Sequence, residues 1–291
     1  MGKRYIVSVS GGAGSTVALE RCIERFGYNR VVAVFADTNT EHQSLYDLLR
    51  AIQEKHPKLE FIWLSDGRNI WDVFDQHGII KTPTGACKAS LELKQKPIAK
   101  WVKENCDPSN DILVSGLEWS EPERRERFDK RWEPYTCWHP LADAPILSNC
   151  QVKDALDEYG YPEQPLYQRR YPHNNCGGGC VLAGHGQWAG LYQDDLPTYR
   201  WHQERERLFN ENHRAGKKKW SILRDQGAET IIEGGEVVIQ KKNTPIMLDE
   251  FEVLLQTNKI NLRDFRSACG CYLGEQTNMF DLLDEPKIDC N

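Results

Sequence analysis

Ser10-Gly11-Gly12-Ala13-Gly14-Ser15-Thr16 follows a short apolar run, Tyr5–Ser10, and precedes an amphipathic segment. A strand that breaks at a glycine loop and resumes as a helix constrains the fold more than any other feature of this 291-residue chain. Glycines let a backbone approach an anion closely. The first turn of the helix offers free N–H groups at its positive end. Leu19, Cys22, Ile23 and Phe26 recur at helical spacing, and Gly27 predicts the C-cap. Val31–Ala36 is a continuous apolar run, as in a parallel strand buried on both faces. A helix through Leu45, Leu48, Leu49 and Ile52 follows, then a strand at Phe61–Leu64 and a short helix near Ile70–Phe74. A helix over Ala89–Glu104, kinked or split by Pro97, leads to a strand at Asp111–Leu117. This alternation predicts an α/β fold with a Rossmann-like parallel sheet and right-handed crossovers.

Beyond about residue 145 the alternation stops. The expected organisation is an α/β domain over 1–145 and a smaller helical, loop-rich, cysteine-rich region over 146–291. Helices are expected in it near Ser148–Tyr159, Thr198–His213 and Met247–Gln256. Net charge is −6, so charge does not indicate a nucleic-acid partner. No apolar run approaches the roughly 18 residues of a membrane span, and the first residues enter a strand rather than a leader. The expectation is a cytoplasmic chain with no membrane contact. Its ten cysteines are then not expected to form five disulfides. The oligomeric state is left open.

The loop lacks the lysine of a Walker A motif, and Val17 stands where a dinucleotide fingerprint needs its third glycine. Ser-Gly-Gly-x-x-Ser after the first strand instead resembles the pyrophosphate (PP) loop of the adenine nucleotide alpha hydrolase superfamily. That superfamily includes ATP pyrophosphatases, tRNA thiolation enzymes and phosphoadenosine phosphosulfate (PAPS) reductases. Phe35-Ala36-Asp37-Thr38, followed by Glu41, resembles the family's adenosine-binding strand end. Cys87-Lys88-Ala89-Ser90-Leu91-Glu92-Leu93-Lys94, followed by Pro97, resembles the reductase block in which Cys precedes a Leu-Lys-x-x-Pro helix. Ser115–Glu121, with Arg124, Arg125 and Arg127, resembles the block that sets arginines near the substrate anion. Asp commonly stands at the place of Gly14 in ATP pyrophosphatases, where it is linked to ATP and magnesium handling; PAPS reductases also depart from it.

The resemblance covers about residues 4–130 and implies a PP-loop domain with adenine nucleotide (ATP, PAPS or adenylylsulfate, APS) as its partner. The implied binding residues are Ser8, Ser10, Gly11, Gly12, Gly14, Ser15, Thr16, Ala36, Asp37, Thr38, Lys94, Gly116, Arg124 and Arg125.

Asn174-Asn175-Cys176-Gly177-Gly178-Gly179-Cys180-Val181 is the strongest local signal of the second half. Two thiolates separated by small residues can wrap one centre, and Cys269-Gly270-Cys271 is a second such pair. Zinc and a 4Fe–4S cluster take the same ligands, and spacing does not separate them. The blocks resemble a phage and bacterial iron–sulfur group of PAPS-reductase-like proteins, which implies a 4Fe–4S cluster on Cys87, Cys176, Cys180 and Cys271, with Cys269 as substitute fourth ligand. Cys269 is otherwise the expected nucleophile, because Ala268-Cys269-Gly270-Cys271-Tyr272 partly matches the family's catalytic block. Structural zinc and unligated thiols remain the alternatives.

Cys22 is expected in the core, and Cys106, Cys137, Cys150 and Cys290 carry no motif. His173 and His185 flank the cysteine pair as metal, phosphate or surface groups. Trp188, Tyr192, Tyr199 and Trp201 are expected as core packing or a substrate wall, and Lys217–Lys219 as a solvated loop.

The function implied is a sulfur-metabolism enzyme in which a thiolate attacks the sulfur of a sulfonucleotide, with a partner protein donating electrons or sulfur. The alternatives are an ATP-dependent sulfurtransferase acting on a base or small molecule, and a nucleotide-binding sensor or interaction subunit with a structural zinc.

Overall fold

The structure is a computed structural model and describes residues 2–169, 171–225, 228–233, 236–241 and 244–257; the side chains of 225 and 228–241 are outside the description. The first part of the chain runs β1 (Arg4–Ser8), α1 (Ala13–Phe26), β2 (Val31–Ala36), α2 (Gln43–Lys55), β3 (Glu60–Leu64), α3 (Ile70–His77), α4 (Lys88–Ser90) and α5 (Lys96–Asn105). It continues with β4 (Asp111–Val114), α6 (Pro122–Arg131) and β5 (Thr136–Trp138). The five strands form one parallel sheet in the order β3-β2-β1-β4-β5. The α/β, Rossmann-like reading is correct. The fifth strand is an addition to the four expected: its three residues, Thr-Cys-Trp, carry no periodicity.

The pleat sends alternate residues of a strand to opposite faces. Val7 and Phe35 accordingly pack with α1 and α2, whereas Ile6, Val34 and Leu113 pack with Ala99 and Val102 of α5 and Phe128 of α6. β2 lies between two partners and is buried along its whole length; β3, at the edge, leaves Trp63 exposed. Gly27 ends α1 at φ 75° with its N–H on the Ile23 carbonyl, as expected of a C-cap. Between α4 and α5 a π turn, Leu91–Gln95, carries the helix into Pro97. Proline lacks an N–H and its ring crowds the carbonyl four residues back, and the wider turn accommodates both.

The remaining elements are α7 (Asn149–Glu158), α8 (Pro165–Gln168), α9 (His185–Asp194), α10 (Leu196–Arg214), β6 (Leu223–Asp225), β7 (Ala228–Glu233), β8 (Glu236–Lys241), β9 (Thr244–Ile246) and α11 (Leu248–Gln256). β7 and β8 form an antiparallel pair, as do β6 and β9. Packing crosses residue 145 in both directions. Val152, Ala155 and Leu156 of α7 lie in the core with α1. Trp71 and Phe74 of α3 lie in a second core with Trp188, Tyr199, Phe209 and Phe251. Trp188 and Tyr199 are fully buried, but Trp201 is exposed. Lys217–Lys219 are exposed, as expected of a solvated loop. Among the described residues no helix is long and apolar enough to cross a membrane.

Candidate functional site: an anion cleft beside a cysteine loop

β1 and β4 are neighbours whose connections leave in opposite directions, so a crevice opens beyond their carboxyl ends. The glycine loop lies there. Gly11 has φ +73°, and Leu45 fills the space a side chain would need. The Ser15 hydroxyl accepts the Ser10 amide at 3.0 Å and donates to the Gly12 carbonyl at 3.0 Å; the Thr16 hydroxyl donates to the same carbonyl at 3.1 Å. These hydroxyls shape the loop. The ligand groups it offers are backbone amides: among the described residues, those of Gly14 and Ser15 have no acceptor. The Ala13 amide donates to the Tyr167 hydroxyl at 3.0 Å.

Gly14 and Gly116 meet backbone to backbone. A Cβ on Gly14 would lie 2.8 Å from the Gly116 carbonyl oxygen, and one on Gly116 would lie 2.5 Å from the Ser15 nitrogen. This contact explains why β4 ends at Val114, short of the expected Leu117: the chain turns at Ser115-Gly116 to pass α1. Ser115 is anchored by a 2.7 Å hydrogen bond between its hydroxyl and His139 Nδ1, and His139 Nε2 bonds Asp129 at 2.8 Å.

The cleft has a volume of about 620 Å³ and is lined by Ser8, Ser10, Gly12, Gly14, Ser15 and Gly116 of the expected set, but not by Gly11 or Thr16. Arg124 lines it and pairs with Glu121. Arg125 does not line it; its guanidinium donates to the Glu118 carbonyl. Arg127 and the buried Arg131 line it instead, the latter donating to Gln95 Oε1 at 2.7 Å. Glu118 shares the lining, and burial raises its carboxyl above the ordinary range. The second half of the chain supplies Asn149, Lys153, Tyr167, His173 and Asn175. Of these, the sequence points to His173 and to Asn175, which belongs to the cysteine motif; Asn149, Lys153 and Tyr167 carry no local signal.

The β2 end does not line the cleft. Asp37 accepts the Asn39 amide and the Tyr46 hydroxyl, each at 2.8 Å, and the Trp63 indole at 3.2 Å. Ala36 beside it is buried. Thr38 donates to Glu41 at 3.0 Å, and Lys94 pairs with the same carboxylate at 2.9 Å. The other oxygen of Glu41 accepts the amide of Cys176. Asp37, Thr38 and Lys94 thus all have protein partners, and Glu41 fastens the cysteine loop to the sheet.

That loop is backbone-strained. Cys176 has φ 57°, rare for a residue with a Cβ, and Gly177 and Gly178 follow at 56° and 83°. Gly179 is required because a Cβ there would lie 2.2 Å from His202 Nε2. His202 is buried and accepts the Trp71 indole N–H on Nδ1 at 3.1 Å, so its proton sits on Nε2. Burial pushes its pKa down to about 3.

Cys176 and His173 beside it hold Cys180 well below the ordinary thiol range, whereas Cys180 and burial push Cys176 up. Cys180 is buried in the second core, and Cys87, the residue before α4, packs against the same cluster with Cys176. The three thiols border one apolar cluster, and thiolate is the donor type that iron–sulfur and zinc centres take, but shared packing alone does not gather them on one metal. The set is incomplete: among the described residues no three metal-ligating side chains stand in metal-holding geometry, and Cys269, Cys271 and Cys290 lie outside the described residues. Cys22 is fully buried, and burial raises its pKa to about 12, as expected of a core thiol. Cys106 and Cys137 are half-buried and Cys150 is exposed. His185 packs against Phe251.

Among solved structures, the chain is similar to a phosphate complex of phosphoadenylyl-sulfate (PAPS) reductase from Candida auris, at 18% identity over 58% of this chain and 78% of that one, with a TM-score of 0.42. No curated protein matches the chain. The phosphoadenosine phosphosulfate reductase domain matches residues 4–177, a span that contains the glycine loop, the arginine helix, the Glu41–Lys94 pair and the first cysteine of the loop. The chain belongs to the phosphoadenosine phosphosulfate reductase domain family.

Proposed function

We propose that this chain is a sulfur-metabolism enzyme of the reductase kind, acting on an adenine sulfonucleotide, PAPS or APS. The observation that carries this reading is the cleft itself. The open amides of Gly14 and Ser15 share it with Arg124, Arg127 and Arg131, and His173 and Asn175 of the cysteine segment form part of its wall. Amides and guanidinium groups on one cavity suit a ligand with several anionic groups. The contact of Gly14 with the Gly116 carbonyl supports a reductase over an ATP-cleaving sulfurtransferase, because it leaves no room at residue 14 for a carboxylate.

In this reading Cys269 is the nucleophile. Its thiolate forms a bond to the sulfate sulfur as the sulfur–oxygen bond to the nucleotide phosphate breaks. Adenosine bisphosphate leaves from PAPS, or AMP from APS. A dithiol donor then cleaves the new sulfur–sulfur bond; sulfite leaves and the donor becomes a disulfide. Cys87, Cys176, Cys180 and Cys271, with Cys269 as substitute fourth ligand, would hold a 4Fe–4S cluster, or alternatively zinc. Such a centre, held by thiolates alone, would cross-link the cysteine segment that walls the cleft to the first half of the chain through Cys87.

The test is turnover by protein purified without oxygen, given PAPS, APS or ATP with dithiothreitol. Sulfite release supports the reductase. Pyrophosphate release from ATP would replace it with a sulfurtransferase, and binding without turnover would leave a nucleotide sensor. A colourless protein with stoichiometric zinc would remove the cluster.

A further inference from the structure

We infer that Lys153 recognises an oxyanion of the bound nucleotide and that Tyr167 positions it; this deepens the nucleotide reading above and rests on it. The two residues come from α7 and α8, beyond the β/α repeats. The Ala13 amide, at the first residue of α1, holds the Tyr167 hydroxyl at 3.0 Å. The Lys153 ammonium lies 5.0 Å from the centre of the Tyr167 ring, a cation–π contact. A loop amide thus fixes the phenol, and the face of the phenol fixes the cation. Val152, the preceding residue, is buried in the core with α1 and sets the backbone of Lys153 at the cleft wall.

The other cations of the cleft are engaged. Arg124 pairs with Glu121, Arg127 donates to the Glu123 carbonyl at 3.1 Å, and Arg131 donates to Gln95. Lys153 is half-buried and lines the cleft. Among the described residues it has neither a hydrogen bond nor an ion pair, and Glu118, also on the cleft wall, feels its charge. A compact ammonium with three donors suits a phosphate or sulfate oxygen. An anion on the Gly14 and Ser15 amides would therefore meet helix N–H groups from one part of the chain and Lys153 from another.

Calorimetric titration of the full chain with AMP and with adenosine 3′,5′-bisphosphate tests this. Lys153→Ala should weaken binding about tenfold, the loss of one charge-assisted contact, at an unchanged urea midpoint. Lys153→Arg should restore binding to within about threefold of the wild type. Tyr167→Phe, which keeps the ring and loses the anchor, should weaken the same nucleotides by a smaller factor. Loss for the bisphosphate alone assigns Lys153 to the 3′-phosphate; loss for both assigns it to the 5′-phosphate. Wild-type affinity in Lys153→Ala, or an equal loss in Lys153→Arg, overturns the inference and leaves the nucleotide reading intact. A wild type that binds neither nucleotide overturns both.

Discussion

Gly14 and Gly116 approach so closely that a methyl group on Gly14 would stand 2.8 Å from the carbonyl oxygen of Gly116. The neighbour is backbone and cannot rotate away. Gly14→Ala should therefore cost about 1–3 kcal/mol, the usual range for overpacking, and Gly14→Asp more. Urea denaturation measures the cost, and wild-type midpoints would show that the loop and the β4 turn can part freely.

The side chain of Glu41 is fully buried, and its carboxylate serves Lys94, Thr38 and the Cys176 amide together. Removing one member of a buried pair strands the other charge. Glu41→Ala should thus destabilise the chain by about 3–5 kcal/mol, and Glu41→Ala with Lys94→Ala by less than the sum of the single changes. A double-mutant cycle in urea checks this; strict additivity would mean that the two groups do not interact.

His202 makes stability depend on acid. Its pKa falls from 6.5 in the unfolded chain to about 3 in the fold, because burial disfavours the imidazolium. Above pH 6.5 the ring is neutral in both states and carries no penalty. As pH drops from 6.5 towards 3, the unfolded chain takes a proton that the folded chain refuses. This residue alone should cost up to about 1.4 kcal/mol per pH unit across that window. His202→Gln, which keeps an acceptor for Trp71, should flatten the slope in urea midpoints measured at pH 7, 6 and 5. An unchanged slope would locate the acid sensitivity elsewhere.

If a metal centre sits on the cysteine loop, its ligands differ from the other thiols in a measurable way. Cys87→Ser, Cys176→Ser and Cys180→Ser should each lower bound iron or zinc at least severalfold, since even changing a residue that only orients a ligand commonly costs about 10–100-fold in affinity. Cys106→Ser and Cys137→Ser should leave it unchanged. Elemental analysis of the purified variants decides, and full metal content in Cys87→Ser, Cys176→Ser and Cys180→Ser alike would reject the centre.

The central strands were legible because their cause is local. Val31–Ala36 is apolar throughout because β2 is covered on both faces, and the glycine loop sits at a strand end because only there can a helix begin over the crevice. β5 was not legible, since its three residues owe their strand state to Ile112–Val114 alongside. The β7–β8 pair does have a local signal, Gly234-Gly235 between apolar segments, which a search for β/α alternation does not pick out. Asp37 and Lys94 have the residue types of ligand-binding groups, but each is held by protein partners.

What the sequence by itself determined is the order of β1 to β4 and the helices between them, the place of the anion loop, the cap at Gly27 and the burial of Cys22. Each follows from periodicity or chain geometry within a few residues. What only the tertiary structure decided is which side chains face the cleft. Arg127 and Arg131 do so in place of Arg125, because one helix cannot turn all its arginines the same way. Tyr167 reaches Ala13 across 154 positions, Cys176 reaches Glu41 across 135, and His202 receives the Trp71 indole across 131. Such pairs leave no trace in local spacing. They arise when packing brings distant segments together and each buried polar group must find a partner there.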